Sequence, residues 1–234
     1  MFGCKQEMIL EPLAAAGAKM TCRPVKLQLD RRETILCTVL RHPIKSEIRA
    51  KFDENHVLKA LDLTAQLDAG GYQGVSPDYM GSMFKKLAWV YGVEDVEYHA
   101  TSTCTNTPVS GSYRGWGGPE TAFIMENMMN AAAQKFRCDP LELRLKNILP
   151  PDAISKIGNF PLGDVRLEDV LRLGSERFRW SERRAAAQAQ DRSSRYLKGV
   201  GLAVSTHTSG YYPRRLDWCT VTCLLYTSDA ADER

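Results

Sequence analysis

The sequence predicts an α+β fold, a mixed sheet with a hairpin and several helices. Three observations carry this. Alternating and helix-periodic segments are interleaved without the regular strand–helix–strand rhythm of a doubly wound sheet. Residues 46–71 are two alternating runs flanking Asp53-Glu54-Asn55-His56, a tight-turn composition that predicts a hairpin. From Pro119 the period changes: a proline in the first turn is followed by apolar residues at helical spacing through PETAFIMENMMNAAAQKFR.

The elements follow in chain order. Residues 7–20, EMILEPLAAAGAKM, read as a helix rich in alanine, although Pro12 and Gly17 interrupt it. Residues 23–29, RPVKLQL, alternate like a strand, and DRRETILCTV after them reads as a short helical turn. The hairpin comes next, then a strand over 95–105. The helix from Pro119 is followed by a second over 139–149, opened by Asp139 as N-cap and Pro140 at the first helical position. Residues 150–164, with three prolines and two glycines, read as a loop. RLEDVLRLGSERFRW and SERRAAAQAQDR predict a third and a fourth helix, and KGVGLAVSTHT a return to strand.

With 234 residues the chain is long enough to bury a real core, and 44% hydrophobic with 25% charged residues is an ordinary globular balance. No apolar run reaches membrane-spanning length, and the acidic residues of MFGCKQEMILEP do not suit a secretory signal. A formal charge of +3 is too small to argue for nucleic acid. The seven cysteines form no C-x-x-C pair and are irregularly spaced, which argues against a metal or iron–sulfur site within the chain and suits reduced thiols in the cytoplasm.

Residues 223–234, CLLYTSDAADER, resemble the in-frame translation of a transposase-type sequencing adapter. On that reading they carry no folding information, and the natural chain continues beyond Thr222.

The stretch YRGWGGPE, 113–120, concentrates three glycines, a proline, an arginine and a tryptophan. It lacks the spacing of a dinucleotide fingerprint and the lysine of a phosphate-binding P-loop. A tight loop before a helix is the plainest reading. Beyond that, the glycines let backbone approach a ligand, and the helix end that follows offers amides to an anion. Arg114 brings a permanent cation and Trp116 a flat face for an aromatic substrate.

Residues 105–150 are similar to the large molybdenum subunits of the xanthine dehydrogenase and aldehyde oxidase family, the molybdenum hydroxylases. T-N-x-P stands at 105–108, R-G-aromatic-G-x-P-E follows within 114–120, and D-P-x-E-x-R-x-x-N covers 139–147. Upstream, FGCKQE resembles the family's F-G-x-K loop, in a form closest to the bacterial xanthine dehydrogenase branch. RPVKLQLDRRE, RHP and YLKGVGLAVSTHTSG add to the likeness, which covers residues 1 to about 222.

The resemblance implies a fragment of the molybdopterin-binding subunit. Residues 1–150 would be a first cofactor-binding domain, 151–196 a helical connection, 197–222 the start of a second such domain, and 223–234 the adapter. It implies that Phe2, Gly3 and Arg114 lie beside the molybdenum–molybdopterin cofactor, in its plain or dinucleotide form, while Gln6 and Trp116 meet the substrate. No residue here would ligate metal, and none would be catalytic. The family's general-base glutamate would lie C-terminal to these residues and a cofactor-contacting glutamine N-terminal to Phe2, so the 234 residues alone are expected to lack hydroxylase activity. Iron–sulfur clusters and FAD would reside on partner subunits or other segments. The substrate would be a purine, a related N-heterocycle or an aldehyde; a cofactor-free domain that packs on a partner is the bland alternative.

Two departures qualify the match. Cys4 replaces the usual small residue of the F-G-x-K loop. A second purine-binding arginine is expected where Ser82 stands, with Lys85 and Lys86 nearby, so that role is not carried over. His42, His99 and His207 read as structural or exposed residues, and the basic run from Arg179 to Arg195 as a solvated helix face.

Overall fold

The computed structural model describes residues 8–191, 193 and 195–207. Phe2, Gly3, Cys4, Gln6 and the segment 223–234 lie outside the described residues. Two short helices, α1 (Glu11–Thr21) and α2 (Arg31–Cys37), come first, and neither buries a residue. Asp30 caps α2 by accepting the Glu33 amide at 2.8 Å, and the Glu33 carboxylate accepts the Asp30 amide in return, so two orphan donors are satisfied.

The hairpin is as expected. Strand β1 (Ile44–Phe52) runs antiparallel to β2 (Leu58–Gly70), with Asp53 accepting the amides of Asn55 and Val57 to close the turn. β2 is the central strand, and Leu61, Leu63, Ala65, Leu67 and Ala69 are buried along it. Its other neighbour is β3 (Asp95–Cys104), and this pair is parallel, so the three-stranded sheet β1-β2-β3 is mixed.

A parallel pair needs a crossover, and here it is the helix α3 (Ser76–Lys86). A strand–helix–strand unit therefore exists where the sequence showed no such rhythm. Gly70, Gly71, Gly74, Pro77 and Gly81 make this segment look like loop, yet Ser76, Tyr79, Met83 and Lys86 fall at helical spacing and are buried.

Helix α4 (Gly118–Phe136) packs Ile124, Met125, Met128, Met129, Ala132 and Ala133 into the core beneath the sheet. Helix α5 (Pro140–Asn147) begins as expected, with the Asp139 carboxylate accepting the Leu141 amide at 2.7 Å. The 150–164 segment carries a two-residue hairpin, β4 (Ile154–Ser155) with β5 (Phe160–Pro161). Helices α6 (Leu167–Phe178) and α7 (Trp180–Ala189) follow, and Leu171 and Trp180 join Leu141 and Val204 in a second small core.

Two strand expectations fail. Residues 23–29 form no strand: they are largely exposed, and alternation without a partner strand has no ladder to join. Residues 198–207 also form no strand; the segment is held instead by side chains, as described below.

Three side-chain clusters explain the motifs found in the sequence. Asp68 accepts hydrogen bonds from the Thr105 hydroxyl at 2.6 Å, the Thr107 hydroxyl at 3.2 Å and the Gly70 amide at 2.8 Å, tying the T-N-x-P turn to the end of β2. Asn147 accepts the Leu58 amide at 2.7 Å and donates to the carbonyls of His56 and Leu143, so it anchors the hairpin turn to α5. Arg144, fully buried, donates from Nε and a terminal nitrogen to Glu126 Oε2 at 2.9 and 2.7 Å. It also reaches Asn130 and the Pro140 carbonyl. Glu126 in turn accepts the Tyr91 hydroxyl and the Val204 amide, the latter at 2.8 Å. One buried ion pair thus joins α4, α5, the chain after α3 and the 200–207 segment. Burial, with the Glu126 charge beside it, pushes the Tyr91 phenol far up.

Candidate functional site

Residues 113–118 form a loop between the sheet and the N-terminus of α4, held from two sides. From the segment before β1, Leu40 bridges to Ser110 and exchanges backbone hydrogen bonds with Val109 and Gly111. This places Arg41 under the loop. Its guanidinium pairs with Glu120 of α4, donates to the Arg114 carbonyl at 2.7 Å and lies 4.5 Å over the Tyr113 ring. Below it, His42 is buried, its Nε2 2.9 Å from the Ser76 hydroxyl and its ring 4.3 Å from that of Tyr79, so it is the structural residue expected. Burial pushes the His42 imidazole's pKa down and the Tyr79 phenol's up.

From α3, Ser82 donates to the Trp116 carbonyl at 2.9 Å. The Lys86 ammonium donates to Ser82 Oγ at 2.9 Å, to the Gly115 carbonyl at 3.2 Å and to the Trp116 carbonyl. Lys86 is only 9% exposed. Burial lowers its pKa to about 8, against an opposing pull from Glu120.

That shift has a stability consequence. The folded pKa lies below the usual 10.5, so between about pH 8 and 10.5 the unfolded chain holds a proton that the folded chain has shed. Stability from this group therefore rises with pH across that window and is flat below it. Thermal unfolding of wild type and Lys86→Met at pH 7 and pH 10 should show wild type gaining relative to the variant at the higher pH. A difference that stays constant with pH would contradict the assignment.

The loop's backbone is unusual. Gly115, Trp116 and Gly117 have φ of 93°, 42° and 77°. Glycine takes such angles freely, whereas for a bulky residue they are strained. A Cβ at Gly115 would collide with the Pro119 ring, and one at Gly117 would lie 2.9 Å from Met83 Cγ. Both glycines are thus required by angle and by space. The helix end beyond them differs from the anion seat expected of it. The Gly118 amide is spent on the Gly115 carbonyl at 2.9 Å, Pro119 has no amide hydrogen, and Glu120 itself occupies the first turn.

Arg114 and Trp116 lie two residues apart on this loop, with Phe2, Gly3 and Gln6 outside the described residues. Arg114 is exposed, and among the described residues its guanidinium makes no hydrogen bond or ion pair. Trp116 is half-buried, edge-on to Tyr79 with ring centroids 5.4 Å apart and packed against the main core. The loop can therefore present a cation that has no partner among the described residues, on the same turn as a partly covered aromatic ring. His99 is exposed beside Glu97, as expected, and the basic residues around Arg179 to Arg184 mostly face solvent.

Sequence reasoning missed the residues that hold the loop: Arg41, Ser82, Lys86 and Glu120. Lys86 carried a signal, since it continues the spacing of Ser76, Tyr79 and Met83 on the buried face of α3.

Residues 1–148 match a family described as the molybdopterin cofactor-binding domain. The xanthine dehydrogenase molybdenum-binding subunit of Escherichia coli O157:H7 is 30% identical over 213 residues, 91% of this chain and 28% of that protein. Aldehyde oxidase 2 of Cavia porcellus is 33% identical over 149 residues, 63% of this chain and 11% of that protein. The crystal structure of quinoline 2-oxidoreductase from Pseudomonas putida 86 superposes with a TM-score of 0.68 at 23% identity, covering 80% of this chain and 25% of that one, and shares the fold. The chain spans little more than a quarter of the length of the bacterial subunit it matches.

Proposed function

Because this chain belongs to the molybdopterin cofactor-binding domain family of the molybdenum hydroxylases, we propose that it supplies one wall of a xanthine dehydrogenase-like active site. The reaction is oxidation of a purine or related N-heterocycle with water as oxygen source, carried out by the complete subunit with iron–sulfur and FAD partners. The division of the chain at residue 150 into cofactor-binding domain and helical connection is part of this reading.

The observation that carries it is the held loop. Arg114 offers an exposed guanidinium without a partner among the described residues, on a loop whose backbone two obligatory glycines seat tightly against Pro119 and α3. Those features fit a large polar cofactor with anionic groups. When bound, molybdenum–molybdopterin supplies the redox chemistry. Arg114 would hold it through charge-assisted hydrogen bonds. Trp116 would orient the flat substrate by its exposed portion while Tyr79 fixes the ring from below. Phe2, Gly3 and Gln6 are proposed in the roles the resemblance implies. No proton is assigned to a side chain of this segment, and the 234 residues alone are proposed to be inactive. Oxidation of an aldehyde is the second reading, supported by the match to aldehyde oxidase 2.

The test is the complete subunit purified with its partners. It should carry molybdenum and pterin and oxidise xanthine or hypoxanthine, with solvent oxygen appearing in the product. Protein free of molybdenum and pterin would sink the proposal, and turnover of aldehydes alone would select the second reading. In that enzyme Trp116→Ala should raise KM about three- to tenfold, the worth of one aromatic contact, with molybdenum content unchanged. Trp116→Phe should be far milder. An unchanged KM in Trp116→Ala would remove the substrate role.

A further inference from the structure

Two donors converge on one carbonyl in this loop. Ser82 Oγ and Lys86 Nζ both donate to the Trp116 oxygen, and the same ammonium reaches the Gly115 oxygen at 3.2 Å. Trp116 is the one residue of the Gly115–Gly117 turn that carries a side chain, and its φ of 42° is one that side chains disfavour. Strain of this kind persists only where the surroundings over-determine it. Returning residue 116 to negative φ would rotate the peptides on either side of it and take both carbonyls off the ammonium.

We infer that Lys86, with Ser82, is a positioning residue that latches Trp116 in its left-handed conformation and thereby fixes where the loop presents Arg114 and Trp116. The choice of a lysine is informative. Its ammonium is buried, and the carboxylate nearest in effect, Glu120, is already paired with Arg41. Among the described residues Lys86 has no ion-pair partner, and a buried cation so placed is a poor device for stability. One ammonium with three donors can hold Ser82 Oγ and the Gly115 and Trp116 carbonyls together in one orientation. Lys86 touches neither Arg114's guanidinium nor Trp116's ring by hydrogen bond; it acts through the backbone of the loop.

The consequence for turnover rests on the reading of the loop as the cofactor's wall, whereas the latch itself does not. The experiment uses the complete enzyme with its partners. It compares wild type, Lys86→Met, Ser82→Ala, Trp116→Gly and the double variant Lys86→Met with Trp116→Gly. Hydrogen exchange is read on peptides covering 113–121, beside the global unfolding midpoint, molybdenum content and steady-state kinetics. Lys86→Met should lower exchange protection in 113–118 about tenfold, the scale of one strained residue released. Its unfolding midpoint at pH 7 should stay level or rise, since a buried charge with no ion-pair partner among the described residues is gone. KM should rise more than kcat falls. In the Trp116→Gly background the exchange effect of Lys86→Met should shrink, because glycine holds a positive φ without help. Unchanged protection in Lys86→Met or an equal loss in both backgrounds would overturn the latch, and a loosened loop with unaltered kinetics would overturn its consequence for turnover. Wild-type enzyme without molybdenum would instead overturn the cofactor reading, and the exchange data would still decide the latch.

Discussion

Arg144→Ala should destabilise the chain by about 3–5 kcal/mol, the usual cost of stranding one charge of a buried pair. Arg144 is fully buried and Glu126 is 5% exposed, and the pair is held by two nitrogens on one carboxylate oxygen at 2.7 and 2.9 Å. Removing the guanidinium leaves the carboxylate in the core with, among the described residues, the Tyr91 hydroxyl and the Val204 amide to solvate it. It also removes the guanidinium's hydrogen bonds to Asn130 Oδ1 and the Pro140 carbonyl. At roughly 2–4 °C per kcal/mol for a chain of this size, the melting temperature should fall by about 6–20 °C. Glu126→Ala should cost a similar amount, and it should release the 200–207 segment as well, because Val204 loses its acceptor. The double variant should cost less than the sum, since each single change includes the price of the other's loneliness. Thermal unfolding of the four proteins measures this cycle. Single variants within 1 kcal/mol of wild type would mean that the buried pair is not what joins these elements.

Arg114→Ala in the complete enzyme should reduce kcat, molybdenum occupancy or both by tenfold or more. The exposed guanidinium has no partner among the described residues, so nothing in this part of the fold depends on it. Its removal should leave the unfolding midpoint within error of wild type. A lost hydrogen bond to a charged group is worth about 1.5–3 kcal/mol, and each 1.4 kcal/mol is a factor of ten. Arg114→Lys should recover only part of the loss, because an ammonium cannot reproduce the planar fork of a guanidinium. The pairing of normal stability with failed loading is what separates a cofactor contact from a core residue. Steady-state kinetics and metal analysis on the same preparations read it.

Much of this architecture was legible in the residues. Asp53 to His56 announced the hairpin turn, and Asp139 with Pro140 announced the start of α5, because turn and cap chemistry is local. The 113–120 stretch stood out for glycines that angle and space both require. What escaped was settled at long range. Helix α3 was hidden by its glycines and proline, which propensity counts against, while burial of Tyr79 and Met83 against the sheet outweighed them. The segment 23–29 had a strand's pattern but no neighbour to pair with. Glu126 sits in an otherwise apolar face of α4, and its partner Arg144 lies 18 residues on, so only the packed helices reveal the ion pair. Lys86 stood in the sequence only as a lysine near Ser82, and its place under the loop is visible only once the chain is folded. The family motifs were readable as a pattern, but the work of Asp68, Arg144 and Asn147 in tying loop to strand and helix to hairpin was not.

The molybdenum-to-protein ratio of the complete Arg114→Ala enzyme, measured beside wild type at matched folding, tests the central claim most directly. If the 113–118 loop is the cofactor's wall, wild type carries close to one molybdenum per subunit, and Arg114→Ala carries much less metal or holds it in an enzyme with kcat down at least about tenfold. Full metal and full kcat in Arg114→Ala would reduce the loop to a well-held turn before a helix.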